Sequence, residues 1–247
     1  MENKKIQHIR QQGPTCGIYA IAMIINTLRK INKLDVKDGQ ALALDIFNLA
    51  IDNKISNIGE LFTESSVLGL ISEVNLKLLK DMKLTYSVFN FNNQQELEQG
   101  LLKAFNNNQY CLLPYYKHYK VKKLDQKTLH WAALSHYEDI YIVGQQGNGE
   151  SGKIFSINKN DRSELRASFE DMYNSNQSFA DNFYWRKYFS LYKRFERACD
   201  KIHPSIVNEE ISNKIDSIRK IKRKTLCQVR VTTDLKGKMF ILGISLV

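Results

Sequence analysis

Proline is scarce in this 247-residue chain, at three residues, and glycine is limited to 12. That excludes a collagen-like or low-complexity sequence. No apolar run approaches the roughly 18 residues of a membrane-spanning helix. The longest, Ile18–Ile25 and Met239–Val247, have the length of core elements. The N-terminus carries basic residues with no apolar stretch behind them, so no Sec-type signal is read there. Cysteine is sparse as well. Cys16, Cys111, Cys199 and Cys227 lie far apart, with no C-x-x-C pair and no histidine at metal-ligand spacing. This argues against a zinc site and a disulfide framework, and it fits a reducing compartment. No metal and no cofactor are expected.

What is present is an ordinary globular composition, 43% hydrophobic and 25% charged. The length allows one large domain or two small ones, with enough chain to bury a sizeable core. The charge is basic, 36 Lys+Arg against 26 Asp+Glu, net +10. Such a balance suits nucleic acid, an anionic membrane surface or an acidic protein, and does not choose among them. It is unevenly placed: between Phe183 and Lys224 there are 12 Lys/Arg and 5 Asp/Glu, interleaved with seven aromatic residues. Interleaved bases and aromatics can bind nucleic acid, but an amphipathic helix with a packed aromatic face and a solvated basic face reads the same way.

Hydrophobic periodicity orders the chain. Gly17–Lys30 is apolar around nearly its whole circumference, which predicts a helix buried on most sides. Gln40–Ile51, Ser65–Lys80 and Gln94–Phe105 read as further helices, and Leu84–Phe91 alternates like a strand. From Gln109 the period changes. Gln109–Tyr115, His130–Tyr137, Asp139–Gln145 and Lys153–Ile157 are strand-like, Phe169–Lys224 returns to helical composition, and Met239–Leu246 is a last strand. The expected class is α+β with a mostly antiparallel sheet.

Chemistry concentrates in Gln11-Gln12-Gly13-Pro14-Thr15-Cys16-Gly17, just before the buried helix. A cysteine at a helix N-terminus faces unpaired N–H groups and the positive dipole end, which favour its thiolate. Gly17 would admit a substrate backbone, and an amide N–H from Gln11 or Gln12 beside that of Cys16 would form an oxyanion hole. The plain alternative is an ordinary small buried cysteine. For a base, His8, His118 and His203 sit in surface-like contexts. His130 opens the core strand His130-Trp131-Ala132-Ala133-Leu134, and His136 lies nearer its far end. Candidates to orient the imidazole are Gln145, Gln146, Asn148 or Asp139. If the chain turns at Glu138-Asp139 and returns along Ile140–Gln145, the return strand ends near His130. That favours Gln146, with Asn148 behind it.

These residues resemble a family. Gln11…Gly13-Pro14-Thr15-Cys16-Gly17 followed by a buried helix, then His130-Trp131-Ala132, resembles papain-like cysteine peptidases. More narrowly it resembles the actin maturation protease family, itself similar to bacteriocin-processing peptidases. Gly59-Glu60-Leu61-Phe62, Leu112-Leu113-Pro114-Tyr115 and Tyr141-Ile142-Val143…Gln146-Gly147 resemble further segments of that family, in order. The resemblance implies a papain-like fold and a thiol peptidase that removes an acetylated N-terminal residue from actin. Cys16 would be the nucleophile, His130 the base, Gln11 an oxyanion donor and Gln146 the third residue. The chain departs from the family where Asn148-Gly149-Glu150 interrupts a Gln-Gly-Lys pattern, and where residues 165–230 look inserted before the last strand. The expected organisation is a catalytic domain of 1–164 and 231–247 with a basic helical insertion, 165–230.

An Asn-, Ile- and Lys-rich composition suggests an AT-rich bacterial gene, hence an effector acting in the cytoplasm or secreted into a host cytosol. Competing readings are a transglutaminase or acyltransferase using the same Cys-His pair, and a non-enzymatic nucleic-acid or membrane-binding module built on Phe183–Lys224. The complete Gln-Cys-His set favours an enzyme acting on a protein over a nucleic-acid binder.

Overall fold

A computed structural model of the chain describes residues 5–11, 15–56, 60–116, 129–138, 141–145, 156–158, 161–179, 182–184 and 230–247. Five helices are described: α1 Cys16–Ile31, α2 Gly39–Asp52, α3 Glu64–Lys77, α4 Gln94–Asn106 and α5 Phe169–Gln177. The strands are β1 Met82–Asn90, β2 Tyr110–Tyr116, β3 Leu129–Glu138, β4 Tyr141–Gln145, β5 Ser156–Asn158, β6 Asp161–Ser168, β7 Asn182–Tyr184, β8 Arg230–Thr232 and β9 Lys238–Leu246. Seven of them form one sheet in the order β1-β9-β2-β3-β4-β6-β5. Every pairing within it is antiparallel. The chain is α+β, as its periodicity predicts. Among the described residues no helix is long and apolar enough to cross a membrane.

Helices cover both faces of the sheet, and strand alternation assigns the residues to each. Leu112, Trp131, Ala133, Phe240 and Leu242 pack with α1, α2 and α3 in one apolar cluster. Cys111, Leu113, Ala132, Leu134 and Met239 pack with Leu97 and Leu101 of α4 and Met172 of α5 in the other. The two-sided cover explains why β2 and the first half of β3 are apolar without interruption. α1 lies against β3 and α2, and every residue from Cys16 to Arg29 is buried. The segment 5–11 runs alongside it, with Ile6 and Ile9 in the core. The Gln7 N–H donates to Thr27 Oγ1 at 3.2 Å, and Gln40 Nε2 donates to the Arg10 carbonyl at 2.8 Å. At the far end of α1 the buried Arg29 guanidinium grips both Asp81 carboxylate oxygens, at 2.8 and 2.7 Å.

Helix starts follow their capping residues: Asp38, Thr63, Asn93 and Ser168 each accept a backbone N–H three residues on, at the heads of α2, α3, α4 and α5. Two parts of the sequence reading differ from the structure. Residues 161–168 (DRSELRAS) are too polar to read as a strand, yet they form β6, paired along the whole of β4. The domain limit expected at 164/165 therefore falls inside a strand, and Leu165, Ala167 and Met172 beyond it are buried in the main core. Within the expected helical run Phe169–Lys224, α5 is followed by a strand, β7, which pairs with β8 as a two-stranded ribbon. Residues 185–229 lie outside the described residues.

Candidate active site

Backbone directions at the start of β3 create the site. Tyr115 pairs with His130, Pro114 with Trp131 and Tyr116 with Leu129. The polar backbone groups of Pro114 and Tyr116 turn away from β3. Asn176 Nδ2 donates to the Pro114 carbonyl at 3.0 Å, and Ser175 Oγ bonds both the N–H and the carbonyl of Tyr116 at 2.9 Å. By antiparallel alternation the Trp131 N–H then lies on the opposite edge of β3, the β4 side. β4 as described ends at Gln145, level with Ala133, two residues short of Trp131. The thiol of Cys16, first residue of α1, lies at this edge and is acted on by the Trp131 N–H. Trp131 directly follows His130, so the helix start and the histidine end of β3 meet.

The contact between α1 and β3 is close because Gly17 has no side chain. A Cβ there would lie 2.9 Å from Leu61 Cδ1 and 3.1 Å from Trp131 Cδ1. The space is thus filled by protein, not left open for a substrate backbone as the sequence suggested. Trp131 Nε1 in turn donates to the Leu61 carbonyl at 3.1 Å. The segment Glu60-Leu61-Phe62 therefore forms a third wall, and its Glu60 carboxylate is near enough to act on the thiol.

Electrostatics of the thiol oppose each other. Burial pushes Cys16 up to about 12, and the Glu60 charge adds to the rise. The backbone N–H groups of Trp131, Gly17 and Cys16 itself pull the other way. The sequence predicts a thiol lowered by its helix terminus. The lowering groups are there, but with Cys16 only 9% exposed desolvation outweighs them. Cys111 on β2 is raised by burial with no opposing group. Tyr115 is raised as well, by burial first and then by the Cys16 charge, so its hydroxyl also belongs to this neighbourhood. Its ring lies 5.8 Å from that of His130, tilted by 32°.

Of the residues singled out in the sequence, Cys16 lies at the Trp131 N–H and His130 is the neighbour of Trp131 in β3; both are buried. Gln11 is part-buried five positions before Cys16, with its Oε1 shielded from solvent. Gln145 is buried at the end of β4, and its Oε1 has no hydrogen-bond partner among the described residues. Gln12, Gln146, Asn148 and Asp139 lie outside the described residues, as do Cys199, Cys227, His118 and His203. The strand carrying His130 and its return strand pair as an antiparallel hairpin, with Glu138 opposite Tyr141 at the end away from His130. His136 sits toward that distal end, bonded to Ser135 Oγ at 2.8 Å and to Glu138 at 3.3 Å. His8, expected at the surface, is half-buried with a shielded Nε2. Sequence reasoning met Tyr115 and Glu60 only inside family-like segments and gave neither a role; that of Tyr115 depends on strand register. Among the described residues no three His, Cys, Asp or Glu side chains gather to hold a metal ion.

None of the curated proteins matches the chain. Residues 6–137 match the family model described as actin maturation protease-like, C-terminal domain. The match spans the segment along α1, α1 itself, the Glu60–Phe62 wall, and β2 and β3 almost to the end of the latter. With more than half its length inside that match, the chain belongs to the actin maturation protease-like family.

Proposed function

We propose that the protein is a cysteine peptidase of papain-like fold, with Cys16 as nucleophile and His130 as proton carrier. The observation that carries this reading is the thiol of a helix-initiating cysteine held at the backbone N–H of the residue that follows His130. A resting thiol pushed up to about 12 is protonated at neutral pH. His130 therefore acts as a general base, not as half of a permanent ion pair. As sulfur bonds to the substrate carbonyl carbon, the thiol proton passes to the imidazole. The oxyanion is held by the Cys16 N–H and the Gln11 side-chain amide. Collapse breaks the C–N bond while His130 gives the proton to the leaving amine. Water, deprotonated by His130, then hydrolyses the thioester and restores the thiol. Gln146 is the next residue in the chain after β4, and in this reading it orients the imidazole.

The substrate we propose is a protein N-terminus, that of actin first, in line with the family name. A chain of net charge +10 suits an acidic partner. The site of action would be a cytosol, the protein's own or that of a host. N-terminal mass spectrometry of actin incubated with wild type and with Cys16→Ala tests the reading. Loss of the terminal residue only with wild type is the expected result. Incorporation of an added primary amine into actin, without loss of a residue, would make the protein an acyltransferase instead.

A further inference from the structure

Resting on the roles of Cys16 and His130 proposed above, we infer that Tyr115 is a positioning residue that sets the plane of the His130 imidazole. Tyr115 and His130 are direct partners across the β2–β3 pair, so their side chains leave the sheet on the same side. The rings face each other at 5.8 Å and 32°. Tyr115 is fully buried and His130 is 8% exposed, so neither ring has solvent to turn into. The platform beneath Tyr115 is itself fixed. Asn176 holds the Pro114 carbonyl, and Ser175 holds both backbone groups of Tyr116. Sliding Tyr115 along the strand would break all three buried bonds.

The contact has a chemical consequence. When His130 takes a proton from the thiol, the resulting imidazolium faces an aromatic ring inside ~6 Å, a distance at which the ring quadrupole attracts a cation. Among the described residues, the ionisable groups shown to act in this neighbourhood are Cys16 of α1, whose charge acts on Tyr115, and Glu60 of the segment before α3, whose charge acts on Cys16. A negative charge at this corner favours the protonated imidazole in the same sense as the ring does. The Tyr115 hydroxyl is not required for the effect; its ring is.

The test is the rate of Cys16 alkylation by iodoacetamide between about pH 5 and 9, which reads the thiol–imidazole pair without a substrate. The proteins are wild type, Tyr115→Phe, Tyr115→Met and His130→Ala. Tyr115→Phe keeps the ring and is expected within about two-fold of wild type at every pH. Tyr115→Met fills the volume without an aromatic face. It is expected to be about ten-fold slower at neutral pH, with the acid limb of its profile moved to lower pH by about half a unit. The sign follows because losing the ring disfavours the protonated imidazole, so the free base persists to lower pH. Tyr115→Leu carries the same test if the methionine variant does not fold. A methionine or leucine variant that is slower at all pH values with an unmoved acid limb overturns the inference, since loosened packing alone does that. Tyr115→Phe as impaired as Tyr115→Met also overturns it. If His130→Ala is alkylated as fast as wild type, the role of His130 falls first and Tyr115 with it.

Discussion

Replacing Gly17 by alanine adds one methyl group at the most crowded point between α1 and β3. Its Cβ would lie 2.9 Å from Leu61 Cδ1, 3.1 Å from Trp131 Cδ1 and 3.2 Å from Trp131 Nε1. Helix propensity favours the change by at most ~1 kcal/mol, and less in the first turn. Against it stands overpacking of a filled site, which costs about 1–3 kcal/mol. The indole has little room to yield, because its Nε1–H is bonded to the Leu61 carbonyl at 3.1 Å, and the same methyl crowds Leu61. Parting that buried pair costs about 1 kcal/mol more. The net is a destabilisation of roughly 2 kcal/mol, or a fall in Tm of roughly 4–8 °C for a chain of this size. Thermal unfolding followed by circular dichroism measures it. A Tm equal to or above that of wild type would refute the reasoning, because it would mean that the wall formed by Leu61 and Trp131 yields freely.

Cys16 should be alkylated faster than Cys111: burial raises both thiols, but only Cys16 has backbone N–H groups opposing the rise, and peptide mapping after timed iodoacetamide exposure separates them. Glu60→Gln removes a charge that raises the thiol, so alkylation of Cys16 at pH 8 should increase by a few-fold; a decrease would reverse the assigned sign. His130→Ala should abolish peptidase turnover and slow alkylation, while His136→Ala, at the other end of β3, should leave both within about two-fold. Asn176→Ala removes three hydrogen bonds, two buried ones to the Pro114 carbonyl at 3.0 Å and the Leu235 carbonyl at 3.3 Å, and a part-buried one from the Gly237 N–H at 2.7 Å. A loss of about 3–5 kcal/mol in urea unfolding is expected, and less than 1 kcal/mol would show that water replaces the amide.

The helices were legible because each carries its own signal. The apolar run from Gly17, and the capping residues before α2, α3 and α4, need no tertiary context. β6 was not legible. Its apolar content is two small steps, Leu165 and Ala167, and what makes it a strand is an unsatisfied β4 edge elsewhere in the chain. The same distinction divides the site. Cys16 and His130 stand out by residue type and neighbours, whereas Tyr115 reads as one more core aromatic until the register sets it opposite His130. The thiol's electrostatics were legible only by half. A helix terminus is visible in sequence, but the depth at which it is buried is a property of the folded layers. Asn176 is the extreme case: a polar residue in a polar helix, it ties α5 to the end of β2 and to the approach to β9.

The β7–β8 ribbon has an evolutionary consequence. Tyr184 and Arg230 are register partners, so the chain leaves for the 45 residues between them and returns at the same point. The closure is made by the ribbon, and the entropy of closing a loop grows only with the logarithm of its length, about 0.6 kcal/mol for each doubling. A lineage can therefore change the number of residues between Tyr184 and Arg230 with little further cost in closure entropy. Residues 185–229 hold 12 of the 36 Lys and Arg residues, so the charge of the chain can be retuned by changes there, at positions remote in sequence from Cys16 and His130.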